Sequence, residues 1–160
     1  MRRLAFFLGI ASVLASVNAM AQQRSPRSAV DALREARPNV VWDSKSPVVA
    51  DVTCDGRTDT VVVGYEGNTV WLGVVPGTSG RTSTRPLMLA FPVGRHSRDS
   101  FCAVPVRIEV NALVCRNEEG PLPGCKPVEG CSDFSLVDDA CDSFHFYWDS
   151  SKNTLRWWRR

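Results

Sequence analysis

Residues 60–75, Thr60-Val61-Val62-Val63-Gly64-Tyr65-Glu66-Gly67-Asn68-Thr69-Val70-Trp71-Leu72-Gly73-Val74-Val75, decide the fold class. Two runs rich in valine, threonine and aromatics flank Glu66-Gly67-Asn68. β-branched and aromatic side chains suit a pleated backbone, and glycine accepts the positive φ of a tight turn. The stretch predicts a hairpin of 60–65 with 69–75. Outward from it, 48–52 and 87–91 read as further strands, and 76–85 as a Gly/Ser/Thr loop. Residues 101–113 hold one long strand or two pieces bent at Pro105. Residues 117–132, rich in Gly, Pro and Glu, read as a loop. Residues 143–148 and 154–158 flank Asp149-Ser150-Ser151-Lys152-Asn153 as a second hairpin. One helix precedes all of these. Ser25-Pro26 caps it, Val30, Leu33 and Ala36 or Arg37 share a face, and Pro38 stops it. Hairpins without intervening helices predict a mainly β, disulfide-bonded fold with one short N-terminal helix. Its sheet is a small antiparallel barrel or sandwich, and no repeat of blade length supports a full propeller.

The first residues read as an export signal. Arg2 and Arg3 precede an apolar run over 4–17, and Ala19-Met20-Ala21 supplies the small residues of a cleavage site. The expectation is a signal peptide over 1–21 and a single exported β-rich domain over 22–160. That run is short for a membrane span, and no other segment is long and apolar enough for one. Removing Arg2 and Arg3 from the 19 basic side chains leaves 17, equal to the 17 acidic ones. A neutral mature chain argues against nucleic acid as a partner. Six cysteines, Cys54, Cys102, Cys115, Cys125, Cys131 and Cys141, behind a signal peptide read as a disulfide framework. Zinc is disfavoured, since no Cys-x-x-Cys occurs and the histidines are only His96 and His145. Fifteen pairings remain open. One arrangement closes the excursion with Cys125–Cys131, sets Cys115–Cys141 at its base, and joins Cys54 to Cys102 across the sheet.

The segment Asp51-Val52-Thr53-Cys54-Asp55-Gly56-Arg57-Thr58-Asp59 is the sharpest chemical signal. Calcium takes six to eight oxygens from a tightly curled loop. Asp51, Asp55 and Asp59 offer carboxylates, Thr53 its hydroxyl and Arg57 its backbone carbonyl, with Gly56 at the sharp turn. Val62 stands where an EF-hand has its Glu, so the loop is not an EF-hand. The competing reading is an Asp-Gly turn whose carboxylates cap backbone amides. Over about residues 49–75 the loop resembles the calcium loops of FG-GAP/VCBS-type repeats. Thr53 departs from that family's more usual Asn or Asp, and Cys54 is unusual there. The resemblance implies one bound Ca2+. An exported, disulfide-bonded domain with such a loop also resembles periplasmic lysozyme inhibitors, and calcium-bearing immunity proteins against peptidoglycan hydrolases.

Other candidates carry less. In the C-terminal hairpin, Phe144, Phe146 and Trp148 alternate with His145 and Tyr147. If the first set is core, the second is exposed. Trp148 and one of Trp157 or Trp158 are expected to close the core, with Arg159-Arg160 a solvated end. Arg81, Arg85, Arg95, His96 and Arg98 lie in polar loops that are more simply solvated than functional. No serine sits in Gly-x-Ser-x-Gly, and nothing pairs Glu109, Glu118, Glu119, Asp138 and Asp139 across a cleft. The expectation is therefore a periplasmic or secreted, non-enzymatic binding protein. Its partner is a protein, specifically a cell-wall (peptidoglycan) hydrolase that it inhibits or confers immunity against. The alternative is a structural or adhesive calcium-binding surface module.

Overall fold

The computed structural model describes residues 25–78, 85–94 and 97–159. The expected signal peptide lies outside these residues, as do Arg81, Arg95, His96 and Arg160. Helix α1 (Pro26–Ala36) starts where the cap predicts: the Ser28 amide donates to Ser25 Oγ at 3.3 Å. Strands β1 (Val41–Trp42), β2 (Val48–Ala50), β3 (Asp59–Glu66), β4 (Thr69–Val75) and β5 (Leu87–Pro92) form the first sheet. Strands β1 and β2 pair with successive halves of the same edge of β3, and β4 and β5 follow, all antiparallel. The second sheet runs β11 (Thr154–Trp158), β10 (Phe144–Asp149), β9 (Ser132–Val137), β6 (Arg107–Ala112), also antiparallel. A two-stranded ribbon, β7 (Arg116–Asn117) with β8 (Gly120–Pro121), stands apart.

The sheets form a sandwich and not a closed barrel. Its core takes Val61, Val63, Val70 and Leu72 from one sheet and Phe134, Leu136, Phe144 and Phe146 from the other. Phe91 sits among Phe101, Phe144, Phe146 and Trp157, with ring centroids 4.9–5.8 Å apart. Such aromatic contacts add to the simple burial of area. Tyr65 ties the layers by a polar contact, accepting from the Val106 amide at 2.9 Å.

A second core explains why 61–63 is three valines in a row rather than an alternation. Val62 points away from the sandwich, toward Ala29, Val30 and Leu33 of α1. Strand β3 is thus buried on both faces, and such strands read as continuous apolar runs. Two glycines let the helix layer approach. A Cβ on Gly73 would lie 2.5 Å from Leu33 Cδ2, and one on Gly64 would lie 2.5 Å from Val40 Cγ1.

The disulfides correct the expected pairing. They join Cys54 to Cys131, Cys102 to Cys141 and Cys115 to Cys125. Cys131 leads into β9, whose first residue reaches the Asp loop, with the Ser132 amide donating to the Asp51 carbonyl at 2.8 Å. That places Cys131 beside Cys54 rather than Cys125. Cys125 folds back through the β7–β8 ribbon onto Cys115. The stretch 101–106 is not strand, so only the second half of the expected 101–113 strand forms.

Candidate functional site

The Asp loop joins β2 to β3. Asp59 is fully buried. Its Oδ2 accepts from the amides of Val52 and Thr53, both at 2.9 Å, and its Oδ1 from the Gly77 amide at 2.9 Å. Burial pushes the Asp59 carboxyl above the usual carboxylate range, against the pull of those three amides. Asp51, also buried, accepts from the Asp55 amide at 3.2 Å and the Gly56 amide at 2.8 Å. Asp55 is exposed, accepts from the Arg57 amide at 2.9 Å, and lies 3.5 Å from the Arg57 guanidinium. Cys54 and Gly56 take left-handed φ values of 56° and 80°, which curl the loop. The carboxylates thus close on backbone amides of the loop and of the segment after β4. Among the described residues, no three His, Cys, Asp or Glu side chains gather as a metal-holding group. Thr53, buried beside Asp59, directs its hydroxyl toward that carboxylate and helps to lower it.

The same device recurs at the other disulfides. Beside Cys102–Cys141, Asp138 accepts from the amides of Cys102 (2.6 Å), Ala103, Ala140 and Cys141. Burial alone raises its carboxyl, but the four amides outweigh burial and hold it below the usual range. Beside Cys115–Cys125, the buried Asp149 takes the Ser151 hydroxyl at 2.6 Å and is likewise lowered. A carboxyl whose folded pKa is depressed adds stability above its unfolded value, near 4, that is lost as pH falls through the folded value. Asp138→Asn is therefore expected to lose roughly 1–3 kcal/mol at neutral pH. Urea melts at a series of acidic pH values should show that deficit shrinking below about pH 4. A deficit constant with pH would remove the amide cradle as its cause.

The outer face of the second sheet carries a groove of about 320 Å3. Cross-strand register sets Glu109, Ser135, His145 and Trp158 in one row across all four strands. Asn111 with Asp133, and Tyr147 with Arg156, are registered neighbours in the next row. Ser135 Oγ lies 2.9 Å from His145 Nδ1, and the Asn111 amide is 3.4 Å from the same Oγ. The His145 and Trp158 rings stack with centroids 4.2 Å apart. Burial raises the Asp133 carboxyl, which accepts from the Val114 amide at 3.1 Å. The Cys115–Cys125 loop covers one end, where Tyr147 Oη donates to the Pro123 carbonyl at 3.2 Å. Tyr147 is therefore buried, not exposed as alternation implied.

Trp148 and Trp157 pack on the sandwich core, and Trp158 faces the groove. Arg159 is not a solvated end. It donates to the Arg98 and Ser100 carbonyls and covers the Phe144 ring at 4.5 Å. Glu109 and Asp139 share Arg107. The groove residues Ser135 and Asp133 escaped the sequence reading because β9 did. The alternation Asp133-Phe134-Ser135-Leu136 was the available signal. Comparison with protein-family models, with curated proteins and with solved structures returned no match.

Proposed function

We propose that this chain is an exported, non-enzymatic binding protein. Its role is to inhibit, or confer immunity against, a cell-wall hydrolase by seating a rigid loop in its cleft. The observation that supports this reading is the ribbon closed by Cys115–Cys125. Its tip residues Glu118 and Glu119 are exposed, and the Asn117 side chain accepts from the Glu119 amide at 3.0 Å. Its base is clamped by the buried Leu122 and by the Gly124 carbonyl, which accepts from the Ser150 amide at 2.9 Å. A loop already held in its bound shape loses little conformational entropy on docking. Export is supported by three disulfides that leave no free cysteine. No helix among the described residues is long and apolar enough to cross a membrane.

The test is turbidity clearance of cell walls by a panel of muramidases, amidases and endopeptidases, with and without the purified, oxidised protein. Inhibition of one class, weakened in a Cys115→Ala/Cys125→Ala variant that keeps its fold, is the expected result. Full activity across the panel overturns the reading.

A second reading, a structural or adhesive calcium module, draws on one observation: Asp51, Thr53, Asp55 and Asp59 share one loop curled by the left-handed Cys54 and Gly56. Calcium bound only to the native state at a hundredfold excess over its Kd adds roughly 2.7 kcal/mol, a rise in Tm on the order of 5–10 °C. Asp55→Ala is the variant of choice, because Asp55 is exposed and its loss leaves the Asp59 amide contacts intact. A calcium-dependent rise abolished in Asp55→Ala carries this reading, and equal Tm with calcium and with chelator ends it.

A further inference from the structure

We propose that the groove on the outer face of the second sheet, closed at one end by the Cys115–Cys125 loop, is a saccharide-binding site. The first argument is shape. In the row Glu109, Ser135, His145, Trp158, a small side chain stands between larger ones. Neighbouring strands lie about 4.8 Å apart, so Glu109 and His145 rise from strands roughly 9.6 Å apart with only Ser135 between. The buried Ser135 forms the floor between them, and the cavity of about 320 Å3 above it lies at the small end of the range for ligand sites.

The second argument is chemistry. The stacked His145 and Trp158 rings form a flat wall, and the C–H face of a pyranose packs on the negative face of an aromatic ring. Around it stand groups that donate, accept or do both: the Asn111 amide, the Ser135 hydroxyl, the Asp133 carboxylate and the Arg116 guanidinium. A ring bearing several hydroxyls, each both donor and acceptor, satisfies such a mixture.

The third argument is charge. Glu109 shares Arg107 with Asp139, and the remaining charged pair of the groove, Asp133 and Arg116, is opposite in sign. A phosphate-bearing ligand needs a net positive site, and a polycation needs a net negative one. A balanced groove selects an uncharged polyol. The groups are also held still: four strands carry most of them, and the Cys115–Cys125 loop braces one end through Leu122.

The test uses the full oxidised chain, titrated separately with the tetramers of β-1,4-linked N-acetylglucosamine, β-1,4-linked glucose and α-1,4-linked glucose. Tryptophan fluorescence and calorimetry give the readouts. The expected result is saturable binding of at least one tetramer with a Kd between about 10 μM and 1 mM. Preference for the acetylated sugar would identify a cell-wall or chitin-like glycan, and preference for a glucose polymer a storage or plant-type one. Ser135→Leu fills the gap without removing the aromatic wall, and exposed Asn111→Ala removes one donor without touching the core. Ser135→Leu should weaken binding at least tenfold and Asn111→Ala several-fold, with thermal melts confirming that both are folded. No binding of any tetramer at about 10 mM overturns the proposal, as does binding that folded Ser135→Leu leaves unchanged. Neither outcome depends on hydrolase inhibition, so the two proposals fail independently.

Discussion

Replacing Cys54 and Cys131 together by alanine is expected to destabilise the protein by about 4–5 kcal/mol, the largest loss among its three disulfides. The bond closes 77 residues of chain, against 39 for Cys102–Cys141 and 10 for Cys115–Cys125. Loop-closure entropy grows with the logarithm of ring size, giving about 4 and about 2.7 kcal/mol for the other two. The Cys54–Cys131 bond also fastens the β2–β3 loop of one sheet to the start of β9 in the other, so its loss loosens the join between the layers. Cys54 holds φ 56°, a left-handed conformation that alanine also resists, so the substitution exchanges one L side chain for another at equal backbone strain. Urea melts of the three double-alanine variants should rank in ring-size order. If Cys115–Cys125 proved the most costly to lose, native-state anchoring of the ribbon through Tyr147 and Ser150 would outweigh chain entropy.

What the sequence revealed, and what it hid, follows from how local each signal was. The hairpin around Gly67 and the cap at Ser25 are encoded within a few residues, and both form where expected. Strand β9 (Ser132–Val137) begins where the Gly/Pro-rich loop over 117–132 is read to end, and the residues after it are assigned to no element. Its Asp133 and Ser135 are polar because they line the groove, so a central strand lacked the apolar run that marks β3. Tyr147 alternates to the outer face as expected, but the Cys115–Cys125 loop folds over it, a contact 24 residues distant in sequence. The expected pairing closes the excursion on itself and leaves Cys54 to meet Cys102 across the sheet, whereas the sandwich brings Cys131 to Cys54 and Cys141 to Cys102. The groove itself has no sequence signature: its row is assembled from four strands, and only register reveals it. The Asp loop was legible as chemistry. Its two competing readings differ in where the carboxylates point, which is a matter of three dimensions.

Asp59→Ala is expected to remove about 3–5 kcal/mol, while Asp55→Ala changes stability by less than about 1 kcal/mol. Both residues belong to one Asp-rich loop, and a role confined to ligand binding would leave both variants stable. The difference comes from burial. Asp59 is fully buried and accepts three amides drawn from the loop and from Gly77, so alanine strands three donors away from water. Asp55 is exposed, and water replaces its contacts. The pH trend supplies a second check. The Asp59 carboxyl is raised by burial, so its contribution is fully present below the unfolded value and is lost as pH rises through the folded one. Asp59→Asn, which cannot ionise, should therefore lose least relative to the native chain toward neutral pH, the reverse of Asp138→Asn. Thermal melts of Asp55→Ala, Asp59→Ala and Asp59→Asn from about pH 3 to 7 measure all of this. Equal, small losses in the two alanine variants would refute the view that Asp59 is the pin on which β2, β3 and the segment after β4 are fastened.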